Sequence, residues 1–389
     1  MLKTREQIEE QEVRFLAAYA MKSCDSRGRA VPEPVHAYRT AYQRDRDRIV
    51  HSQAFRKLEY KTQVFVIFEG DYYRTRLTHT LEVAQIGRTL GRVLSLNEDL
   101  IEAVALAHDL GHPPFGHAGE QILGQIMEDA GYSGFNHNLR SFEIVNRFEK
   151  RYPDFTGLNL TREVLVGILK HQTQYDIAGM AGEFEEEGPT VEAQIVDFAD
   201  SLAYLNHDVD DGMKSGCITI DDLMESELWR RAVNALGERI SRDDLEMLRY
   251  QVVKALIDMQ VKDLLVHTDR NLQACGFHSA EDVKRHSGAV VCFSPEMKAL
   301  RDDLQGLLHR KLYNHHRVVR MTSKAKRIIR DLFQVYLNEP QQLPPDVYPR
   351  EGRISEEVKY TIICHHIAGM TDRAAMDEHK RFFNAYTKV

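Results

Sequence analysis

Ala107-His108-Asp109-Leu110-Gly111-His112-Pro113-Pro114-Phe115-Gly116-His117-Ala118-Gly119-Glu120 is the stretch from which the rest of the sequence is read. Just upstream, Asn97 followed by Glu98 and Asp99 has the form of a helix cap with an acidic first turn. Leu100, Ile101, Val104 and Ala105 continue that helix on one apolar face. Gly111 and the two prolines stop it, so the chain turns sharply before a second helix, expected to begin near Phe115. His108 and Asp109 therefore lie at the C-terminal end of an apolar helix, where ionisable groups are costly to bury unless paired or metal-bound. His117 and Glu120 stand at i, i+3 on one face of the second helix. Two polar clusters face each other across a rigid turn.

Working outward, helical patterns dominate. Thr161 to Lys170 and Glu192 to Asp208 read as helices, and Leu245, Leu248, Val252, Leu256 and Met259 form a long amphipathic stripe. No sustained alternation of period two marks a set of strands, so the expected fold class is all-α. Val64 to Phe68 is the best strand candidate, with a buried turn between helices as the alternative. The acidic segment Glu183 to Pro189 reads as a solvated loop, and Glu339 to Gly352, with Pro340, Pro344, Pro345 and Pro349, as irregular chain. A division is expected near residue 215, with a core over 1–215 and a C-terminal helical region over 216–389 available for oligomer or regulatory contacts.

Composition excludes several classes. The chain has 389 residues, with 43% apolar and 28% charged residues, the balance of a soluble globular protein. No apolar run approaches the ~20 residues of a membrane span. Met1 to Glu10 is charged and lacks the apolar centre of a secretory signal. The five cysteines make no CxxC pair, which fits a reducing cytoplasm. Lys and Arg number 51 against 59 Asp and Glu, a net charge of −8 that argues against broad coating of nucleic acid. Against that background Arg310, Lys311, Arg317, Arg320, Lys324, Lys326, Arg327 and Arg330 form a local basic excess. It reads as a solvated helix face, as a second site for nucleotide or nucleic-acid phosphates, or as an oligomer contact.

Two further residues join the central stretch. His79 begins a helix in Arg76-Leu77-Thr78-His79, and Asp200 lies in Asp197-Phe198-Ala199-Asp200-Ser201-Leu202-Ala203-Tyr204. With His108 and Asp109 they make two imidazoles and two carboxylates, a set that can hold one divalent ion (Mn²⁺, Mg²⁺, Fe²⁺ or Zn²⁺) and leave positions open for water or a phosphate oxygen. Asp197, one turn before Asp200, is the rival ligand. Asp200, Tyr204 and Asp208 recur at i, i+4 and i+8, so one helix face carries all three.

The order of these pieces resembles the HD phosphohydrolase superfamily and, within it, the dGTPase family of deoxynucleoside triphosphate triphosphohydrolases. The resemblance is carried by Phe55 to Val64, Arg76 to His79, His108 to Glu120, Phe135 to His137, Asp200 to Tyr204 and Ile367 to Asp372, spread over residues 40–373. It implies water-driven cleavage at the α-phosphorus of a dNTP, giving a deoxynucleoside and inorganic triphosphate. It implies a divalent metal on His79, His108, Asp109 and Asp200, and a catalytic pair of His117 and Glu120. The pair relays a proton either to the leaving oxygen or from the water. Arg76 resembles a family arginine on the α-phosphate, with a solvated helix-start arginine as the alternative. His112 and His137 are similar to phosphate contacts, or else support the metal ligands from behind. Gln63 and Asp208 match contacts to the 3′-hydroxyl, Tyr204 lies under the sugar and Lys170 resembles a phosphate-binding lysine. Arg353 and His365 to Arg373 look like the family's C-terminal motif, with His365-His366 where Asp-Tyr is usual. The resemblance further implies a homo-oligomer, often a hexamer, and control by an allosteric nucleotide; single-stranded nucleic acid is a possible partner of the basic stretch. Two rival functions remain: an HD phosphohydrolase acting on a nucleoside monophosphate or a hyperphosphorylated guanosine nucleotide, and a non-catalytic protein that senses nucleotides or binds nucleic acid.

Overall fold

The computed structural model describes residues 2–63, 74–171, 188–237, 244–349 and 354–387. The strand candidate Val64 to Phe68, most of the acidic loop at 183–189, and Arg353 lie outside the described residues.

Among the described residues there are seventeen α-helices and no strand, only isolated bridges, as the sequence pattern leads one to expect. The first part runs through α1 (Arg5–Phe15), α2 (Ala41–Val50), α3 (Gln53–Lys57), α4 (Arg76–Val93), α5 (Glu98–Ala107), α6 (His117–Asp129), α7 (His137–Glu143), α8 (Arg162–Leu169) and α9 (Val191–Lys214). The second contains α10 (Ile220–Leu223), α11 (Glu227–Leu236), α12 (Leu245–Cys275), α13 (Ala280–Arg285), α14 (Pro295–Leu308), α15 (His316–Asn338), α16 (Glu356–Ala368) and α17 (Asp372–Phe383).

Local chemistry sets the helix ends around the site. Thr75 caps α4 reciprocally with Thr78, and the Asn97 side chain accepts from the Asp99 and Leu100 N–H groups at the start of α5. The helix after the HPPF turn begins at His117, two residues later than the sequence suggests. Phe115 (φ +64°) and Gly116 (φ +57°) occupy left-handed backbone, which delays the helix. The stripe beginning at Leu245 continues to Cys275, where Gly276 ends the helix in the left-handed conformation. After Pro340–Gln342, a single 3₁₀ turn, the chain to residue 349 is free of α-helix.

Helix α5 is apolar on nearly every side, with Leu100, Ile101 and the whole run Ala103–Ala107 buried. It packs against α2, α4, α8 and α9 and forms the centre of the largest apolar cluster. Apolar packing crosses residue 215 in all three clusters, the largest taking in Leu264, Leu272, Val283, Val290 and Val291. Leu205 and Val209 of α9 join Trp229 and residues of α12 and α14 in a second cluster. Ile122 and Leu123 of α6 join Ile329, Phe333 and Ile367 in a third. The helix carrying His117 and Glu120 is thus covered by the C-terminal half.

Gly111 fixes the approach of α7. Its N–H donates to Ser141 Oγ at 2.8 Å, and that hydroxyl donates to the His108 carbonyl at 2.7 Å. A Cβ at Gly111 meets the His137 carbonyl at 2.2 Å and the Ser141 nitrogen at 2.3 Å, both backbone atoms that cannot rotate away. Gly111→Ala should therefore cost about 1–3 kcal/mol and displace α7. A thermal melt lowered by several degrees, with turnover lost in the folded fraction, is the expected result; an unchanged melt contradicts the close approach.

Candidate metal and catalytic centre

Three helices bring together groups that could hold a cation. The first turn of α4 carries Arg76 and His79, the turn directly after α5 carries His108 and Asp109, and the middle of α9 carries Asp200. His79 Nε2 faces Asp200 Oδ1 at 2.8 Å and Asp109 Oδ2 at 4.0 Å. His108 Nε2 lies 3.5 Å from Asp109 Oδ1 and 3.8 Å from Asp200 Oδ1. His108 Nδ1 faces the Ala105 carbonyl at 2.6 Å, so that nitrogen carries the proton and Nε2 is left with its lone pair. That Nε2 is buried without a hydrogen-bond partner. Ligand atoms of His79, His108 and Asp200 all lie within 4.8 Å of one another. An orphaned imidazole nitrogen aimed at two carboxylates is a donor set that fits a divalent cation.

The surroundings tune these groups. Burial lowers the His108 pKa, which keeps the ring neutral. Burial opposes ionisation of Asp109, but Arg76, then His108 and His112, hold its carboxyl well below the usual range. Burial opposes ionisation of Asp200 too, and His171 and His79 reverse it. Arg76 is not a solvated helix-start arginine: it is buried and its Nη1 donates to Asp109 Oδ2 at 2.8 Å. Its Nε and Nη2 are buried without an acceptor at the cavity wall.

A second cluster abuts the first. Glu120 Oε1 accepts the His137 backbone N–H at 2.9 Å and faces His137 Nδ1 at 2.8 Å, while Oε2 is 3.6 Å from His117 Nδ1. Burial would raise the Glu120 carboxyl, but His137 and then His117 hold it far below its ordinary value. The His112 and His137 rings touch with centroids 3.7 Å apart and planes tilted by 41°, and His112 Nδ1 is 3.0 Å from Asp109 Oδ1. His112 thereby links the two clusters. Burial, then Arg76 and His137, keeps it neutral. His117 remains 41% exposed, with its ring 5.9 Å from that of Tyr204.

One cavity collects Gln63, Arg76, His79, Asp109, His112, His117, His137, Asp200 and Tyr204, with Ser201 added. Of the described residues named from the sequence, His108, Glu120, Lys170 and Asp208 do not line it; His108 and Glu120 adjoin residues that do. Asp208 is fully buried two turns beyond Asp200 on α9, and accepts from the Tyr313 hydroxyl. Lys170 ends α8. Asp197, the rival ligand, faces His171 Nδ1 at 2.6 Å. Most of the basic excess is an exposed face of α15, opposite buried Val318, Ala325, Ile328 and Ile329; Lys311 pairs with Asp222 at 2.8 Å.

Two residues of the centre went unread in the sequence. His171 bridges Asp197 and Asp200 Oδ2, the latter at 3.3 Å, and these carboxylates raise its pKa against the opposing effect of burial. His207 Nδ1 faces His79 Nδ1 at 3.2 Å, and its Nε2 is paired with Glu82. His207 stands seven residues after Asp200 on α9, so the face that carries Asp200 and Tyr204 offered a signal for it. His171, alone beside Lys170 in the sequence, offered none.

Imidazoles and carboxylates converging from three core helices define an HD-domain hydrolase. The HD domain family matches residues 76–205, and the phosphohydrolase-associated domain matches residues 291–381. The chain is 50% identical over 376 residues to a deoxyguanosinetriphosphate triphosphohydrolase-like protein of Geobacter sulfurreducens, covering 96% of each. A protein of the same description from Geobacter metallireducens is 49% identical, covering 97% of this chain and 98% of the relative. One from Ralstonia pickettii is 47% identical, covering 95% and 94%. The chain belongs to this family of deoxyguanosinetriphosphate triphosphohydrolase-like proteins. No helix among the described residues is long and apolar enough to cross a membrane.

Proposed function

We propose that the chain hydrolyses 2′-deoxynucleoside 5′-triphosphates at the α-phosphorus. A water oxygen bonds to that phosphorus, the bond to O5′ breaks, and O5′ takes a proton, giving deoxynucleoside and inorganic triphosphate. The observation that carries this reading is one cavity lined by His79, Asp109 and Asp200 of the first cluster and by His117 and His137 of the second, with His108 adjoining the two carboxylates and Glu120 adjoining the two imidazoles. The relatives' names supply the substrate class.

His79, His108, Asp109 and Asp200 would hold a divalent cation, Mn²⁺, Mg²⁺ or Fe²⁺, which supplies electrophilic activation of a phosphoryl oxygen and of water. In this reading the free edge of the Arg76 guanidinium binds the α-phosphate. Neutral His112 offers a hydrogen bond beside it. Glu120, ionised at neutral pH, orients His117 and His137, and exposed His117 is the group that moves a proton at O5′ or at the water. Tyr204 packs under the deoxyribose. Gln63 reaches the 3′-hydroxyl; Asp208 and Lys170, expected at the 3′-hydroxyl and a phosphate, do not line the cavity and are assigned no substrate contact. The same reading extends to a cytoplasmic homo-oligomer, a hexamer by family resemblance, under nucleotide control.

The test is to incubate purified protein with each dNTP and NTP, singly and mixed, under Mn²⁺ or Mg²⁺ and to identify the products. Inorganic triphosphate with deoxynucleoside supports the reading. Pyrophosphate with monophosphate, or turnover of monophosphates alone, refutes it. Tyr204→Ala should lower the dNTP-to-NTP ratio of kcat/KM about tenfold, because the ring no longer excludes a 2′-hydroxyl. An unchanged ratio removes Tyr204 from sugar selection.

A further inference from the structure

The segment Ile367–Asp372 takes no part in the chemistry above, yet it touches both chain segments that frame the cavity. Asp372, in the first turn of α17, is 1% exposed. Its Oδ1 accepts the Phe115 N–H at 2.9 Å. Its Oδ2 accepts the Thr62 N–H at 3.0 Å and the Thr62 hydroxyl. Thr62 precedes Gln63, which lines the cavity. Phe115 lies two residues before His117 and holds a φ of +64°. Left-handed backbone at a bulky residue costs about 1–2 kcal/mol and persists only where the surroundings hold it. The neighbouring Lys61 ammonium reinforces the junction by donating to the His112 carbonyl and reaching the Ala368 carbonyl at 3.4 Å.

We propose that Asp372 is a positioning residue: one carboxylate from the C-terminal region grips Thr62 and Phe115 and so sets Gln63 and His117 across the cavity. A carboxylate suits the task because both its oxygens only accept. The isosteric amide has a single acceptor oxygen, so either Phe115 N–H or Thr62 N–H would face another donor. The phosphohydrolase-associated region thereby supplies an acceptor that the HD domain lacks at this turn. The inference rests on the reading of His117 as the proton-handling group.

Asp372→Asn in the full-length chain tests it through hydrogen exchange and kinetics together. Expected are faster exchange of the Phe115–His117 amides, about tenfold or more, with α4 and α9 unchanged, and intact metal content. The kcat should fall about tenfold to hundredfold while KM moves little. In a His117→Ala background the same substitution should cost almost nothing further, since both act on one group. Exchange rising throughout the protein with kcat per folded molecule unchanged, unaltered exchange at the turn, or full additivity with His117→Ala each overturns the proposal. Should Asp372→Asn not fold, Thr62→Val removes only the hydroxyl donor and gives the same readouts at smaller amplitude. Wild-type protein that turns over no dNTP defeats the functional reading, while exchange at the turn still decides whether Asp372 grips it.

Discussion

Asp109→Ala is expected to abolish turnover and to strip a divalent cation from the proposed centre. Asp109 meets four groups at once: Arg76 at 2.8 Å, His112 at 3.0 Å, His108 at 3.5 Å and His79 at 4.0 Å. Removing it deletes one carboxylate of the donor set and leaves the Arg76 guanidinium buried without its counter-ion. Several kcal/mol of charge stabilisation at the phosphoryl group corresponds to about 10³-fold in rate. Breaking a buried pair costs about 3–5 kcal/mol of stability besides, so the melting temperature falls as well. Asp109→Asn, which keeps the volume and one acceptor, separates the effects: it should melt closer to wild type yet remain poor in metal and activity. Metal content by elemental analysis and turnover on the same sample decide the matter. Equal metal and full activity in either variant removes Asp109 from the ligand set.

Glu120→Gln is expected to keep the cation and to lose most of the rate. Glu120 touches none of the ligand groups, and its contacts are His137 at 2.8 Å and His117 at 3.6 Å. Its carboxyl is held far below the ordinary value, so glutamine removes a full negative charge at neutral pH. The imidazoles then lose the partner that orients them and strengthens them as bases. Proton transfer by a positioned side chain is worth about 10²–10⁴-fold, which is the expected fall in kcat. Metal content should match wild type, and that contrast with Asp109→Ala distinguishes the two clusters. Undiminished turnover takes Glu120 out of the mechanism; lost metal merges the clusters into one.

Both experiments probe features that differ in how they can be read. The i, i+3 placement of His117 and Glu120 and the stop at Gly111-Pro113-Pro114 are local, and the structure has both. Even so, the i, i+3 pair is not the tightest contact: Glu120 lies closer to His137, which arrives on a separate helix. Nor was the exact helix start legible, because positive φ at Phe115 is held by Asp372, more than two hundred and fifty residues away. The proposed ligand set came through family resemblance, since spacing alone left Asp197 and Asp200 as rivals. In the fold Asp200 joins the cluster and Asp197 faces His171.

The amino-acid order by itself determined the helical class, the Asn97 cap of α5, the sharp turn after Asp109 and the shared face of Asp200 and Tyr204. Each depends on caps, backbone limits and periodicities acting over a few residues. Only the tertiary structure decided that Arg76 pairs with Asp109, that His171 meets Asp200 and His207 meets His79, that Asp208 accepts from Tyr313, and that Asp372 accepts the Phe115 N–H. Those contacts join residues far apart in the chain, and their partners are selected by packing geometry and the need to satisfy buried charge, neither of which any local stretch encodes.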